Sequence, residues 1–130
     1  MKALTIRQPW ADAIAHGEKR IENRTWATRH RGDFLIHAAA AEDRNALPAE
    51  MAEPWPDTRS AVIAIAGLVE VHFANGRCCQ KWGFSEVYHW ELANVRRLAR
   101  PVPCKGRLGL WTPAEDIATA VLEQEREAVR

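Results

Sequence analysis

Apolar and polar positions change period along this chain, and each change marks an element. Leu4 and Ile6 share one face of a short strand over residues 3–6. Gln8-Pro9-Trp10 then opens a helix, because proline suits a first turn whose N–H would lack a partner anyway. Trp10 and Ile14 stack at i, i+4, Ala11 and Ala15 lie beside them, and Gly17 is expected to end the helix as its C-terminal cap. Two turns cannot hold themselves together in water, so packing must hold this helix. A second strand is expected within residues 20–26. A turn at Arg31-Gly32-Asp33 leads into a third over 34–38, and residues 39–51 have helix-forming composition around Pro48.

The longest strand signal runs over residues 60–73, after a loop marked by Pro54, Pro56 and Asp57. Its first half is apolar throughout, as in a buried strand. Its second half sets Val69, Val71 and Phe73 against Leu68, Glu70 and His72. Asn75-Gly76 reads as a turn and residues 78–84 as irregular. Residues 88–102 form a strand or bent strand pair with Trp90 and Leu92 on one face, and residues 106–111 a short closing strand. Thr112-Pro113-Ala114-Glu115 has the form of a capping box before an amphipathic helix with Ile117, Val121 and Leu122 inward. Several short strands with helices at the margins predict an α+β fold, a small, mostly antiparallel barrel with both helices packed outside it.

A length of 130 residues suits one domain, and 47% hydrophobic with 27% charged residues is ordinary for a globular chain. No apolar run approaches the roughly 20 residues of a membrane span, so no membrane association is expected. The first residues lack the apolar core of a signal peptide. Three cysteines, an odd count, do not make a disulfide framework, and the expectation is a reducing cytoplasm.

The net charge of +1 hides a segregated pattern. Lys19, Arg20, Arg24, Arg29 and Arg31 form one basic run in which Glu22 is the only carboxylate, and Arg96, Arg97, Arg100, Lys105 and Arg107 form a second without acids. Such runs are either solvated surface or a track for a polyanion, and the second reading requires both to meet on one face. Six tryptophans are unusual for this length. Trp10 and Trp26 flank the first basic run, an interleaving that recurs where bases stack and phosphates are neutralised.

The segment Gly17-Glu18-Lys19-Arg20-Ile21-Glu22-Asn23-Arg24 concentrates the chemistry. Gly17 is expected to free the backbone to turn from helix to strand. Along a strand Glu22 and Arg24 share a face, while Lys19, in the turn, can swing its stem toward them. A Lys–Glu–Arg group in a cleft could hold a phosphate with its cations and a base edge with its carboxylate. A buried lysine beside an acid could carry a proton. The same residues could equally be an ion-pair network that pins the helix to the sheet.

Leu4-Thr5-Ile6-Arg7-Gln8-Pro9-Trp10, the pattern G-x-K-x-x-E-x-R filled by Gly17, Lys19, Glu22 and Arg24, then Arg31-Gly32, Ile36-His37-Ala38 and the closing Gly106-Arg107-Leu108-Gly109-Leu110-Trp111 together resemble the ASCH domain family of the PUA-like superfamily. The resemblance implies a domain over residues 1–111, with residues 112–130 a helix packed on it or extending from it. It implies a small β-barrel with a cleft for RNA or a nucleotide, lined by Lys19, Glu22 and Arg24 with Arg7, Trp10, Arg31 and His37. Some relatives act as N4-acetylcytidine amidohydrolases and others cleave RNA, so a hydrolase using Lys19 and Glu22 is the alternative, and a protein-interaction module the third. One departure bears on the amidohydrolase reading: those relatives carry a threonine nucleophile where this chain has Glu22, and a carboxylate cannot do that job.

Other candidates carry less. His37 either lines the cleft or is a satisfied buried histidine, and Glu70 points into the cleft or into solvent. Tyr88, His89 and Trp90 could stack, with Trp90 better placed in the core. Cys78-Cys79 lacks the spacing of a metal site, and no nucleotide-loop, dinucleotide or zinc-protease motif occurs. Neither a metal nor a cofactor is expected.

Overall fold

The computed structural model describes residues 1–46, 53–75 and 81–129. Strands β1 (Ala3–Gln8), β2 (Ile21–Arg24), β3 (Gly32–Glu42), β4 (Ala61–Ala74), β5 (Val87–Pro103) and β6 (Leu110–Trp111) form one sheet in the order β2-β5-β4-β3-β1-β6. Helices α1 (Trp10–Ala15) and α2 (Glu115–Ala128) complete the described elements. The β1–β3 pair is parallel and every other pair is antiparallel.

The sheet is open, which corrects the expected barrel. The end strands β2 and β6 are four and two residues long and share no ladder. Closure is unnecessary because a helix covers each face. On one face Ala11 and Ile14 of α1 are buried among Leu4, Ile6, Phe34, Ile36, Leu68, Trp90 and Leu92. The helix is therefore part of the core and not an outer decoration. On the other face Val121 of α2 packs with Ala3, Leu35, Val62, Ile65, Leu98, Val102 and Trp111. Alternation along β3 sends Phe34 and Ile36 to one core and Leu35 to the other.

Several local expectations change. Residues 39–42 extend β3 and are not helical, and positions 47–51 of that predicted helix lie outside the described residues, as do Gly76 and Cys78-Cys79. Irregular pairing between Leu68 and Glu70 breaks the simple alternation of β4. Val71 then packs against the core while Val69 and Phe73 are exposed. The capping box does not form: Ala114 is the N-cap of α2, and Thr112 Oγ1 accepts from Lys2 Nζ instead. Val121 and Gln124 are the buried residues of α2, and Leu122 is exposed.

Candidate functional site

The motif sits where α1 gives way to β2. The His16 N–H closes the helix on Asp12 O, and the Arg20 guanidinium donates to the carbonyls of Ile14, Gly17 and Lys19, satisfying the helix end with a side chain. Gly17 is needed for space and not for a left-handed turn. A Cβ there would lie 2.8 Å from Ala13 O and 2.9 Å from the Trp55 ring. Trp55 belongs to a segment tied to α1 and to the end of β1, since Asp57 N donates to Asp12 Oδ2 and Gln8 Nε2 to Thr58 O.

Beyond this turn Lys19 folds inward. It is 3% exposed; its Nζ donates to Ile21 O and stands 3.4 Å from Glu22 Oε1. Glu22, itself buried, accepts on Oε2 from Arg24 Nε at 2.9 Å, and a second Arg24 nitrogen also donates to Thr5 O. One carboxylate thus holds two cations, with Arg24 tied to β1. Burial pushes the Lys19 pKa down, and the Glu22 charge and hydrogen bond oppose that shift.

This group lines a cleft of about 430 Å³, a volume in the range of small-ligand sites. Trp10 and Trp82 face each other edge to face at 6.4 Å between ring centroids, and both line it. Trp10 is oriented by its Nε1–H, which donates to Asp43 Oδ2 at 2.8 Å and holds that carboxyl below the usual carboxylate range. Lys19 Nζ lies 6.0 Å and Lys81 Nζ 4.8 Å from the Trp82 ring centroid. Arg7, Lys81 and Arg107 also line the cleft, and none makes an ion pair with a described residue. Phe84 and Leu108 are exposed there.

Of the residues singled out by sequence, Arg7, Trp10, Lys19, Glu22 and Arg24 come together here. Arg31 does not: it pairs with Glu70 at 2.8 Å on the surface. His37 does not either. It lies on the α2 side of β3, 5.4 Å from the Trp111 ring, and is buried. Its Nε2–H donates to Cys104 O at 2.7 Å, which leaves Nδ1 to accept from Thr5 Oγ1 at 3.2 Å. Thr5 Oγ1 in turn accepts from Trp111 Nε1 at 3.0 Å. Of the second basic run only Arg107 reaches the cleft. Trp82, Lys81, Phe84 and Asp43 are additions made by the fold. Lys81-Trp82 repeats the base-beside-aromatic pattern already seen around Trp10, and that signal could have found the pair.

A mixed sheet covered by a helix on each face, with a cleft beside its short edge strand, defines a small PUA-like domain. The ASCH domain family model matches residues 4–102, and the chain belongs to that family. Activating signal cointegrator 1 of Homo sapiens is 42% identical over 50 residues, which are 38% of this chain and 8% of that protein, and the Mus musculus protein matches equally. The chain therefore spans a small part of those relatives. The crystal structure of ASCH from Zymomonas mobilis is 13% identical, with a TM-score of 0.60 over 94% of this chain and 93% of that one. A single-substitution mutant of the same protein superposes equally well, over 96% of its chain. At this identity the likeness shows the fold.

Proposed function

We propose that this domain binds RNA by taking one nucleotide into the cleft. The observation that carries this reading is the convergence, in one cavity, of a buried Lys19–Glu22–Arg24 group, two facing tryptophans and three cations with no ion-pair partner among the described residues. Aromatic walls stack an unstacked base, and free cations neutralise phosphates at its mouth. Glu22, already neutralised by two cations, reads the base without repelling the strand. No described helix is long and apolar enough to cross a membrane, and a cytoplasmic site of action is part of the proposal.

The test is binding of a short single-stranded RNA, followed by fluorescence anisotropy from about 50 to about 200 mM salt. Affinity should fall with a slope of about 0.7 per phosphate contacted. Lys19→Ala should weaken binding on the order of tenfold, about 1.4 kcal/mol. Because Lys19 is buried and bonded to Ile21 O and Glu22, the variant also melts lower, and binding is measured well below its melting temperature. Affinity indifferent to salt and to Lys19→Ala would overturn the reading and leave an interaction module.

A second reading has one observation in its favour. Burial lowers the Lys19 pKa beside a carboxylate, which suits a proton carrier in a hydrolase acting on RNA or on a modified pyrimidine nucleoside. Product formed by wild type and lost in Lys19→Ala would establish it. Against it stands the engagement of Nζ by Ile21 O and Glu22.

A further inference from the structure

Asn23 fills a variable place in the motif, between Glu22 and Arg24, and lines the cleft with them, while strand alternation turns its side chain to the other side of β2. Its carboxamide grips one stretch of backbone at two points. Nδ2 donates to Trp82 O at 2.9 Å, and Oδ1 accepts from Phe84 N at 2.9 Å. The partner of Asn23 in the β2–β5 ladder is His89. This histidine is fully buried, and its Nε2–H donates to Phe84 O. One cross-strand pair therefore holds the backbone of residues 82–84 at three points.

That stretch needs holding, because residues 81–84 carry no helix or strand of their own. Its side chains nonetheless make one wall of the cleft, with Trp82 set 6.4 Å from Trp10. All three bonds go to backbone groups, so they fix where the wall stands whatever side chain it carries.

We propose that Asn23, supported by His89, is the positioning residue of the aromatic wall: it fixes where Trp82 stands against Trp10 and thereby shapes the aromatic surface on which a base stacks. The proposal rests on the reading of the cleft as a nucleotide site, and it predicts a loss confined to the base.

Asn23→Ala removes both of its bonds, and Asn23→Asp keeps the acceptor for Phe84 N while losing the donor to Trp82 O. The probes are a fluorescently labelled single-stranded RNA hexamer and the same hexamer with abasic sugars. Asn23→Ala should weaken the hexamer on the order of tenfold, the scale of one or two lost hydrogen bonds, and leave the abasic strand unchanged. Asn23→Asp should fall between Asn23→Ala and wild type. Equal losses on both strands, or none on either, overturn the proposal. A ligand-free readout accompanies this: fluorine NMR of protein labelled with 5-fluorotryptophan, with the Trp82 signal assigned through Trp82→Phe. Asn23→Ala should move the Trp82 resonance and leave that of Trp111, on the other face, in place. An unmoved Trp82 overturns the proposal whatever the RNA does. A moved Trp82 in a protein whose wild type never distinguishes the two strands supports the positioning role and overturns the nucleotide reading instead.

Discussion

The two faces of the sheet carry basic residues in opposite states. On the α2 face, Arg96 is held by both oxygens of Asp33, at 2.7 and 3.1 Å, and by Glu125 at 3.1 Å. These bonds hold the Asp33 carboxyl below its usual range. Arg100 meets Glu127 at 3.2 Å, and its backbone exchanges two hydrogen bonds with the Gln124 carboxamide. On the cleft face Arg7, Lys81 and Arg107 make no ion pair with a described residue, although Arg7 stands near enough to Asp43 to help hold its pKa down, and the buried carboxylate of Glu22 is shared by Lys19 and Arg24. A count of positive charge cannot separate these faces. What separates them is whether the fold supplies an acid to each base, since a cation already paired has little left for a phosphate.

The comparison breaks most sharply at Glu22. Glu22→Ala strands a buried lysine, and unfolding free energy should fall by about 3 kcal/mol or more in urea denaturation. Asp33→Ala on the α2 face, where partner and solvent both reach Arg96, should cost less than about 1 kcal/mol. The Glu22→Ala loss should shrink as pH rises, because Lys19 has a lowered folded pKa and the unfolded chain then holds the proton longer. Equal losses at the two sites would mean that burial does not distinguish them.

A smaller effect sharpens the difference for binding. The pair Arg7→Ala with Arg107→Ala should reduce the salt slope of RNA binding by about 1.4, or 0.7 for each cation removed. The pair Arg96→Ala with Arg100→Ala should leave that slope unchanged and act on thermal stability alone. Anisotropy and melting curves on wild type and the two double variants read both, and an RNA loss from the second pair would erase the distinction.

The smallest effect concerns pH. Burial pushes the His37 pKa below its ordinary 6.5, with the Cys104 hydrogen bond opposing. Between the folded value and 6.5 the unfolded chain binds the extra proton, so stability falls as pH drops through that window and is level above it. His37→Gln should flatten this limb of the curve.

Much of the fold was legible because period and breakers are local. β1, α1, β2 and α2 fall within a few residues of their expected places, and Trp90 with Leu92 face one core as their spacing requires. The misplaced features depend on partners distant in sequence. Thr112 looks like an N-cap until Lys2 takes its hydroxyl. Gly17 looks like a left-handed cap until Trp55 arrives over it. Val69, Val71 and Phe73 read as one face until the β4–β5 pairing slips and parts Val71 from the exposed Val69 and Phe73. Within the site, Lys19, Glu22 and Arg24 were readable because they are close in sequence and alternation puts the last two on one face. Asp43 was not, since it reaches the cleft from a segment remote from the motif, and Trp82 carried only its neighbouring Lys81 as a signal.

The sequence by itself determined the α+β character, the ASCH membership carried by its motif, and the ion group at the heart of the site. These follow from turn chemistry, periodicity and residues near one another along the chain. Tertiary structure alone decided that the sheet stays open with α1 inside the core, that Arg31 and His37 stand apart from the cleft, and that α2 takes up Arg96 and Arg100 of the second basic run. The first follows from apolar burial under a helix on each face, and the others from which distant group takes a hydrogen-bonding or charged atom. Such atoms have few places to offer, and one partner taken is another refused.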